Sequence, residues 1–406
     1  VPSPTRTLAR HDVAEHVASR VFAPGPTGRV GIELEWVTVG DPARPVSPDT
    51  LRAALPDPFP GASRLTFEPG GQLELSGPAA PSLTAALDAM TADTTAARAA
   101  VDPLGIKLVG TGLDASGPRR RVLGAPRYRA MEQYFDTRWP AGRTMMRNTA
   151  SVQVNLDIGE PCDVASRWRR AHDLGPLLLG AFANSPLDPQ GRPTGWCSTR
   201  FAVWDGIDPS RTGAAYSDDR DPCAAFTDYA LGAGVMMVWP DGPDGDAVVP
   251  QPGLRFGDWI DHGHALGHPT RADLEYHLTT LFPPVRPRGW LELRMIDALP
   301  DESWPVAVAV ATALLDHPGA VAATDAALTS LRGRWTLAAR RGLADPATRA
   351  AAEHCFAVAA EALPDLGASA DLMAALDAFG DRYVDQGRSP AHDTLDAHFA
   401  AGRGAP

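Results

Sequence analysis

Cysteine is scarce. The 406 residues contain four, Cys162, Cys197, Cys223 and Cys355, and no two form a C-x-x-C pair or a zinc spacing. A chain this long with so few thiols is not a disulfide-stapled scaffold, and a reduced, cytoplasmic setting is expected. Positive charge is not in excess either: the formal net charge is −12, so the electrostatic footprint of a nucleic-acid or anionic-membrane surface is missing. A polyanionic nucleotide remains open to such a chain, through local arginines and metal ions. No apolar run approaches the ~18 residues of a membrane helix, and the N-terminal stretch lacks the apolar core of a signal peptide. Also missing are G-x-x-x-x-G-K-[ST], a strand–G-x-G-x-x-G–helix unit and G-x-S-x-G. These absences exclude a P-loop, a dinucleotide fingerprint and a hydrolase nucleophile elbow.

What is present suits a large buried core, with 44% hydrophobic and 21% charged residues. The length allows two or three domains, or one large one. The organising stretch is Gly31–Trp36, G-I-E-L-E-W. As a strand it places Ile32, Leu34 and Trp36 on one face and Glu33 and Glu35 on the other, the carboxylates about 7 Å apart. Taken alone, that pattern equally describes a solvated polar face. It recurs downstream, however.

Spaced apolar positions from Thr7 to Phe22 predict an opening helix. Residues 64–77, R-L-T-F-E-P-G-G-Q-L-E-L-S-G, read as a hairpin turning at Pro69-Gly70-Gly71, with Glu68, Gln72 and Glu74 on one polar face. A helix from Pro81 to about Ala100 and a short strand over Ile106–Leu113 follow. Residues 117–147 form a basic run, Arg119, Arg120, Arg121, Arg127, Arg129, Arg138, Arg143 and Arg147. It fits an anionic ligand or a solvated face. In M-M-R-N-T-A-S-V-Q-V-N-L-D (145–157), Ser151, Gln153, Asn155 and Asp157 alternate with Val152, Val154 and Leu156. A helix over about Asp163–Ala183 and a structured loop at 191–200 come next. Residues 207–224 and 240–253, rich in Asp, Gly, Pro and Ser, read as mobile surface loops or lids, and Val235–Trp239 as a buried strand. His262, His264 and His268 sit in a Gly-rich loop and read as a loop feature rather than a metal site; His277 reads as a packed core residue. Over residues 288–297, R-G-W-L-E-L-R-M-I-D places Trp290, Glu292 and Arg294 opposite Leu291, Leu293 and Met295. Beyond Asp301 the chain runs into Ala/Leu helices.

Four strands with carboxylates or amides opposite an apolar face build one acidic concave surface: Glu33, Glu35, Glu68, Glu74, Gln153, Asn155, Glu292 and Arg294. So many carboxylates cannot all stay ionised and unpaired. Either some are protonated or two or three divalent cations neutralise them. Oxygen-only ligands favour Mg²⁺ or Mn²⁺, and Mg²⁺ usually shares its shell with substrate phosphates, which implies a nucleoside triphosphate. Arg294 and part of the basic run would balance a transferring phosphoryl group. The residues themselves lead to metal-dependent phosphoryl chemistry and not to a substrate.

The blocks G-I-E-L-E-W, T-F-E-P-G-G-Q-L-E-L-S-G, M-R-N-T-A-S-V-Q-V-N-L-D, G-R-P-T-G-W, H-L-T-T-L-F-P-P-V-R and W-L-E-L-R-M-I-D, in this order over about residues 30–300, resemble the glutamate–cysteine ligase family of plants, proteobacteria and actinobacteria. The chain looks most like the actinobacterial members that serve ergothioneine biosynthesis. The resemblance implies an α+β fold: a glutamine-synthetase-like antiparallel sheet forming a cup at about 30–297, backed by helices. A helical part, about 301–406, would pack on it, making 1–406 a single catalytic domain. It implies ATP and Mg²⁺ as cofactors and glutamate and cysteine as substrates, joined through γ-glutamyl phosphate. Glu33, Glu35, Glu68, Glu74 and Glu292 match the metal-binding carboxylates as a group. Gln72, Gln153, Asn155 and Arg294 match positions around the nucleotide, and Arg147 is a candidate for a substrate carboxylate or phosphate. The four cysteines match no counterpart of the plant members' redox-sensitive disulfide, and Cys197 reads as structural. Another glutamate–amine ligase on this scaffold, or a non-catalytic nucleotide or amino-acid sensor, are the alternatives.

Overall fold

The computed structural model describes residues 7–41, 46–216, 220–240 and 245–403. Seven strands are present among them: β1 (Val30–Val39), β2 (Arg64–Phe67), β3 (Leu73–Ser76), β4 (Lys107–Val109), β5 (Ser151–Asp157), β6 (Val285–Pro287) and β7 (Trp290–Asp297). The sheet order is β2-β3-β1-β5-β7-β6, antiparallel throughout, with β4 on the far end of β1. Alternation does what the sequence promises: Ile32, Leu34, Trp36, Leu73, Leu75, Val152, Val154, Leu291 and Leu293 are all buried on one face. The helices Val164–Ala181 and Trp304–Asp316 pack behind β5 and β7. Leu83–Val101, capped by Ser82 accepting from the Ala85 N–H (3.2 Å), covers β1 and β4. One continuous apolar core joins the sheet's inner face to the helices beyond Trp304. Among the described residues no single helix is long and apolar enough to cross a membrane.

Strand β7 carries an irregularity that matters below. Val154 pairs with Leu293 but Val152 pairs with Ile296, so β7 has one extra residue there. This β-bulge reverses its alternation and sets Asp297 opposite Ser151 on the polar side.

Several expectations change in detail. The opening helix is Arg10–His16, continued by a π-helical turn at Val17–Val21. Val235–Trp239 is mostly buried but is not a strand; it makes isolated bridges, such as Val238 with Val248. The stretch read as a mobile loop from 207 is largely packed down to residue 216: Pro209–Thr212 is a helical turn, and Arg211 has no exposed surface. Polar composition misled here because Asp208 and Arg211 neutralise each other (2.7 Å), which permits burial. Pro222–Gly232 is a helix as well. Residues 217–219 and 241–244 of those stretches lie outside the described residues. Strand β6, three residues with a proline, carried too little pattern to be expected.

Candidate active site

The polar face of the sheet is the floor of a cavity of about 460 Å³. Cross-strand partners share a face, so register fixes the layout. Glu35 lies opposite Glu74, and Glu33 between Ser76 and Gln153. Asn155 lies opposite Glu292, which in turn faces Arg286. Glu68 comes instead from the turn. Its N–H donates to the Gln72 carbonyl (2.9 Å), and the Gly71 N–H returns to the Glu68 carbonyl (2.8 Å). That turn needs its glycines: Gly71 has φ +87°, and a Cβ on Gly70 would run into the Arg147 backbone.

One half of the cavity is a carboxylate cluster. Glu35, Glu68 and Glu74 bring ligand oxygens within 4.8 Å of one another, and among the described residues no other such metal-competent group forms. Burial first, then the charge of Glu74, raises the Glu35 carboxyl. Burial, Glu35 and Glu74 push Glu68 well above the carboxylate range. Burial, then repulsion by Glu292 and Glu74, lifts Glu33 from an ordinary 4.5 to about 7. Each shift favours the protonated form, and a divalent cation bound among these oxygens would favour the ionised form instead. The donor set, hard and all oxygen, fits Mg²⁺ or Mn²⁺. Hydrogen bonds orient the carboxylates. Ser151 N–H (2.9 Å), Ser151 Oγ (3.0 Å) and Gln153 Nε2 (3.0 Å) donate to Glu35. Ser76 Oγ donates to Glu74 (2.6 Å), and Asn155 Nδ2 to Glu33 (3.1 Å).

The other half is cationic. Glu292, fully buried, is embraced by Arg294, Arg288 (3.2 Å) and Arg286 (3.4 Å). Burial opposes its ionisation, but Arg286, Arg294 and Arg288 outweigh it and hold the carboxyl at about 2. Arg294 also donates to Gln153 Oε1 (2.6 Å), and its guanidinium lies 5.7 Å from the Trp204 ring centre. Arg64, Arg127 and Arg200 line the cavity too. The buried Nε of Arg200, Nε of Arg286 and Nε1 of Trp204 have no hydrogen-bond partner, which leaves donors that an anion in the cavity could satisfy.

Of the residues singled out from sequence, Glu33, Glu35, Glu68, Glu74, Gln153, Glu292 and Arg294 line this one cavity. Asn155 sits one step outside it, bridging Glu33 and the Trp290 Nε1–H (3.1 Å). Gln72 and Arg147 are not brought in. Gln72 is fully buried and donates to the Thr149 carbonyl (2.8 Å), tying the hairpin to the start of β5. Arg147 is spent on Glu132 (2.5 Å); of the basic run only Arg127 reaches the cavity wall. His268 Nδ1 lies 3.1 Å from the Ile260 carbonyl. His277 is a core residue, stacked on Phe256 (4.4 Å) with Nε2 against the Ala230 carbonyl (2.9 Å). All four cysteines are free, and burial raises the Cys197 thiol to about 11. Sequence reasoning missed Arg64, Arg200, Trp204, Arg286 and Arg288. A signal existed: Ser198 caps Thr199–Asp205, accepting from the Phe201 N–H (3.1 Å), which puts Arg200 and Trp204 at i and i+4 on one face. Arg286 and Arg288 stand two apart around Pro287.

Beneath the cavity, Asp297 gathers Asn184 N–H (2.8 Å), Ser185 Oγ (2.7 Å) and Ser198 Oγ (2.9 Å), with Arg200 at 3.8 Å. Arg200 Nη2 also donates to the Arg294 carbonyl (2.9 Å). The β7 bulge thus supplies an anion that seats one wall of the site.

Comparison with known proteins gives consistent results. The family described as glutamate-cysteine ligase family 2 matches residues 29–404. The chain is 44% identical to "Glutamate--cysteine ligase EgtA" of Mycolicibacterium smegmatis, over 98% of this chain and 94% of that one. It is 42% identical to the protein of that name from Mycobacterium tuberculosis, over 96% and 90%. A chloroplastic glutamate–cysteine ligase of Nicotiana tabacum is 32% identical over 59% of this chain and 46% of its own length. Among solved structures, the glutamate–cysteine ligase of Francisella tularensis in complex with AMP superposes with a TM-score of 0.52 at 12% identity, covering 92% of this chain and 85% of that one. That likeness bears on the fold, which is glutamine-synthetase-like.

Proposed function

The chain belongs to glutamate–cysteine ligase family 2 and is a ligase of that kind; on that premise we propose that it activates glutamate with ATP and joins it to cysteine through γ-glutamyl phosphate. Support comes chiefly from one juxtaposition: a three-carboxylate cation site and an arginine cluster facing each other across a single cavity. Glu33, Glu35, Glu68, Glu74 and Glu292 are proposed to hold two or three divalent cations, Glu35, Glu68 and Glu74 forming the tightest set. Bound there, Mg²⁺ or Mn²⁺ would neutralise and orient the ATP phosphates. Arg294, with Arg286 and Arg288, steadies the γ-phosphoryl group while a γ-carboxylate oxygen of glutamate attacks phosphorus and ADP leaves. The cysteine amine, having lost a proton, then attacks the γ-carbonyl carbon, phosphate departs, and γ-glutamylcysteine remains. Arg200, which lines the cavity, is proposed to take a substrate carboxylate. Gln153 braces Glu35 and Arg294, Asn155 braces Glu33, and Gln72 and Arg147 act through the turn and helix they tie down.

We further propose that residues 1–406 work as one catalytic unit in the cytoplasm, supplying ergothioneine biosynthesis as the family resemblance implies. The test is phosphate release from ATP with Mg²⁺ and glutamate, with cysteine present or replaced by other amino acids. Release dependent on cysteine, with γ-glutamylcysteine seen by mass, is the expected result. Release with another amine instead would change the acceptor, and no release with any would leave a binding protein.

A further inference from the structure

The helix Pro126–Asp136 serves two cavities. Arg127, Tyr128 and Met131 line the one described above. Gln133, Tyr134 and the capping Thr137 line a second, of about 400 Å³. No residue is shared between the two walls.

The floor of the second cavity is a buried polar knot. Tyr134 Oη (2.5 Å) and Arg211 Nε (2.7 Å) both donate to Asp208 Oδ2. Ser210 donates to Oδ1 through N–H (3.1 Å) and Oγ (2.7 Å). Arg211 reaches on to the carbonyls of Thr280 (2.7 Å) and Gly234 (2.5 Å). The charge of Asp208 is therefore cancelled within the floor. Trp139, stacked on Tyr134 at 5.3 Å and 25°, gives a flat apolar wall, continued by Val249 and Pro250. Arg138 and Arg255 line the same cavity as exposed side chains, and neither has an acidic partner among the described residues. In a chain of net charge −12, two uncommitted guanidiniums beside a neutral floor and an aromatic wall make a local anion-attracting pocket.

We propose that this cavity binds a small planar organic anion, its carboxylate or phosphate held by Arg138 and Arg255 and its ring laid on Trp139. The site is separate from the ligase cavity and does not depend on the ligase reading. Isothermal titration of the full-length protein with indole-3-acetate and with phenyl phosphate, which is not a nucleotide, distinguishes a carboxylate from a phosphate as the preferred group. Saturable binding of at least one probe is expected, unchanged by a saturating non-hydrolysable ATP analogue with Mg²⁺. R138S/R255S should weaken that binding at least tenfold while leaving basal phosphate release within twofold of wild type. Trp139→Ala should weaken it about fivefold. No saturable binding of either probe, equal affinity in the double serine variant, or displacement by the ATP analogue would each overturn the proposal. An undiminished affinity in Trp139→Ala would overturn the stacked ring.

Discussion

Replacing Glu33 by glutamine should stabilise the metal-free protein, although it removes a proposed cation ligand. In the fold the Glu33 carboxyl sits at about 7 instead of 4.5, through burial first and then the charges of Glu292 and Glu74. A folded-state value raised above the unfolded one means that ionisation opposes folding. The cost is absent below about pH 4.5, grows between 4.5 and 7, and is complete above 7. Its full size is about 3 kcal/mol. Glutamine keeps the shape and the oxygen that accepts from Asn155 Nδ2 (3.1 Å), but cannot ionise. At about 2 cal/mol/K of unfolding entropy per residue, ~3 kcal/mol moves the midpoint of a chain this long by about 4 °C. Thermal melts in EDTA followed by circular dichroism at pH 5, 6, 7 and 8 should show the variant nearly level with wild type at pH 5 and about 4 °C above it at pH 8. Millimolar Mg²⁺ should close or reverse the gap, because only the carboxylate gains from the cation. A gap independent of pH, or a variant less stable than wild type at pH 8, would refute the reasoning.

Glu35→Ala or Glu74→Ala should abolish turnover, by at least about 10³-fold, with an unchanged far-ultraviolet spectrum; wild-type rates in either would remove the cation site from the mechanism. Arg294→Ala should lower kcat by about 10²-fold or more while altering glutamate binding less, and single-turnover phosphate release separates the two. Asp297→Asn should raise KM for glutamate more than it lowers kcat, through a loosened Arg200, and Asp297→Glu should restore part of the loss; equal KM values in wild type and Asp297→Asn would disconnect Asp297 from the site. Replacing His262 and His264 together with alanine should leave activity within about twofold, and a larger fall, rescued by added metal, would reinstate the histidines.

The floor of the site was legible because its residues sit on strands, where a period of two writes the facing side chains into the sequence. Glu33, Glu35, Glu74, Gln153 and Glu292 were found that way, and the Pro69-Gly70-Gly71 turn disclosed Glu68. The walls were not. Arg200 and Trp204 ride a seven-residue helix, and Arg286 a three-residue strand, both too short for periodicity to speak. Arg147 shows the opposite case: a cation in a suggestive block lies outside the cavity, paired with Glu132, a partner 15 residues away that local pattern does not announce. The Asp208–Arg211 knot misled by composition, since polarity in sequence cannot distinguish a solvated group from a neutralised pair.

The pairing of Glu35 with Glu74 has a consequence for how the chain reaches its fold. A slip of one residue between β1 and β3 would turn Glu33 and Glu35 into the apolar layer and Ile32 and Leu34 into the cavity. Two alignments that hydrogen-bond equally well are thus separated by the cost of burying carboxylates among leucines, several kcal/mol per charge. The chemistry of the site therefore acts as a proofreader of strand alignment, and a divalent cation present during folding would reward the correct alignment alone.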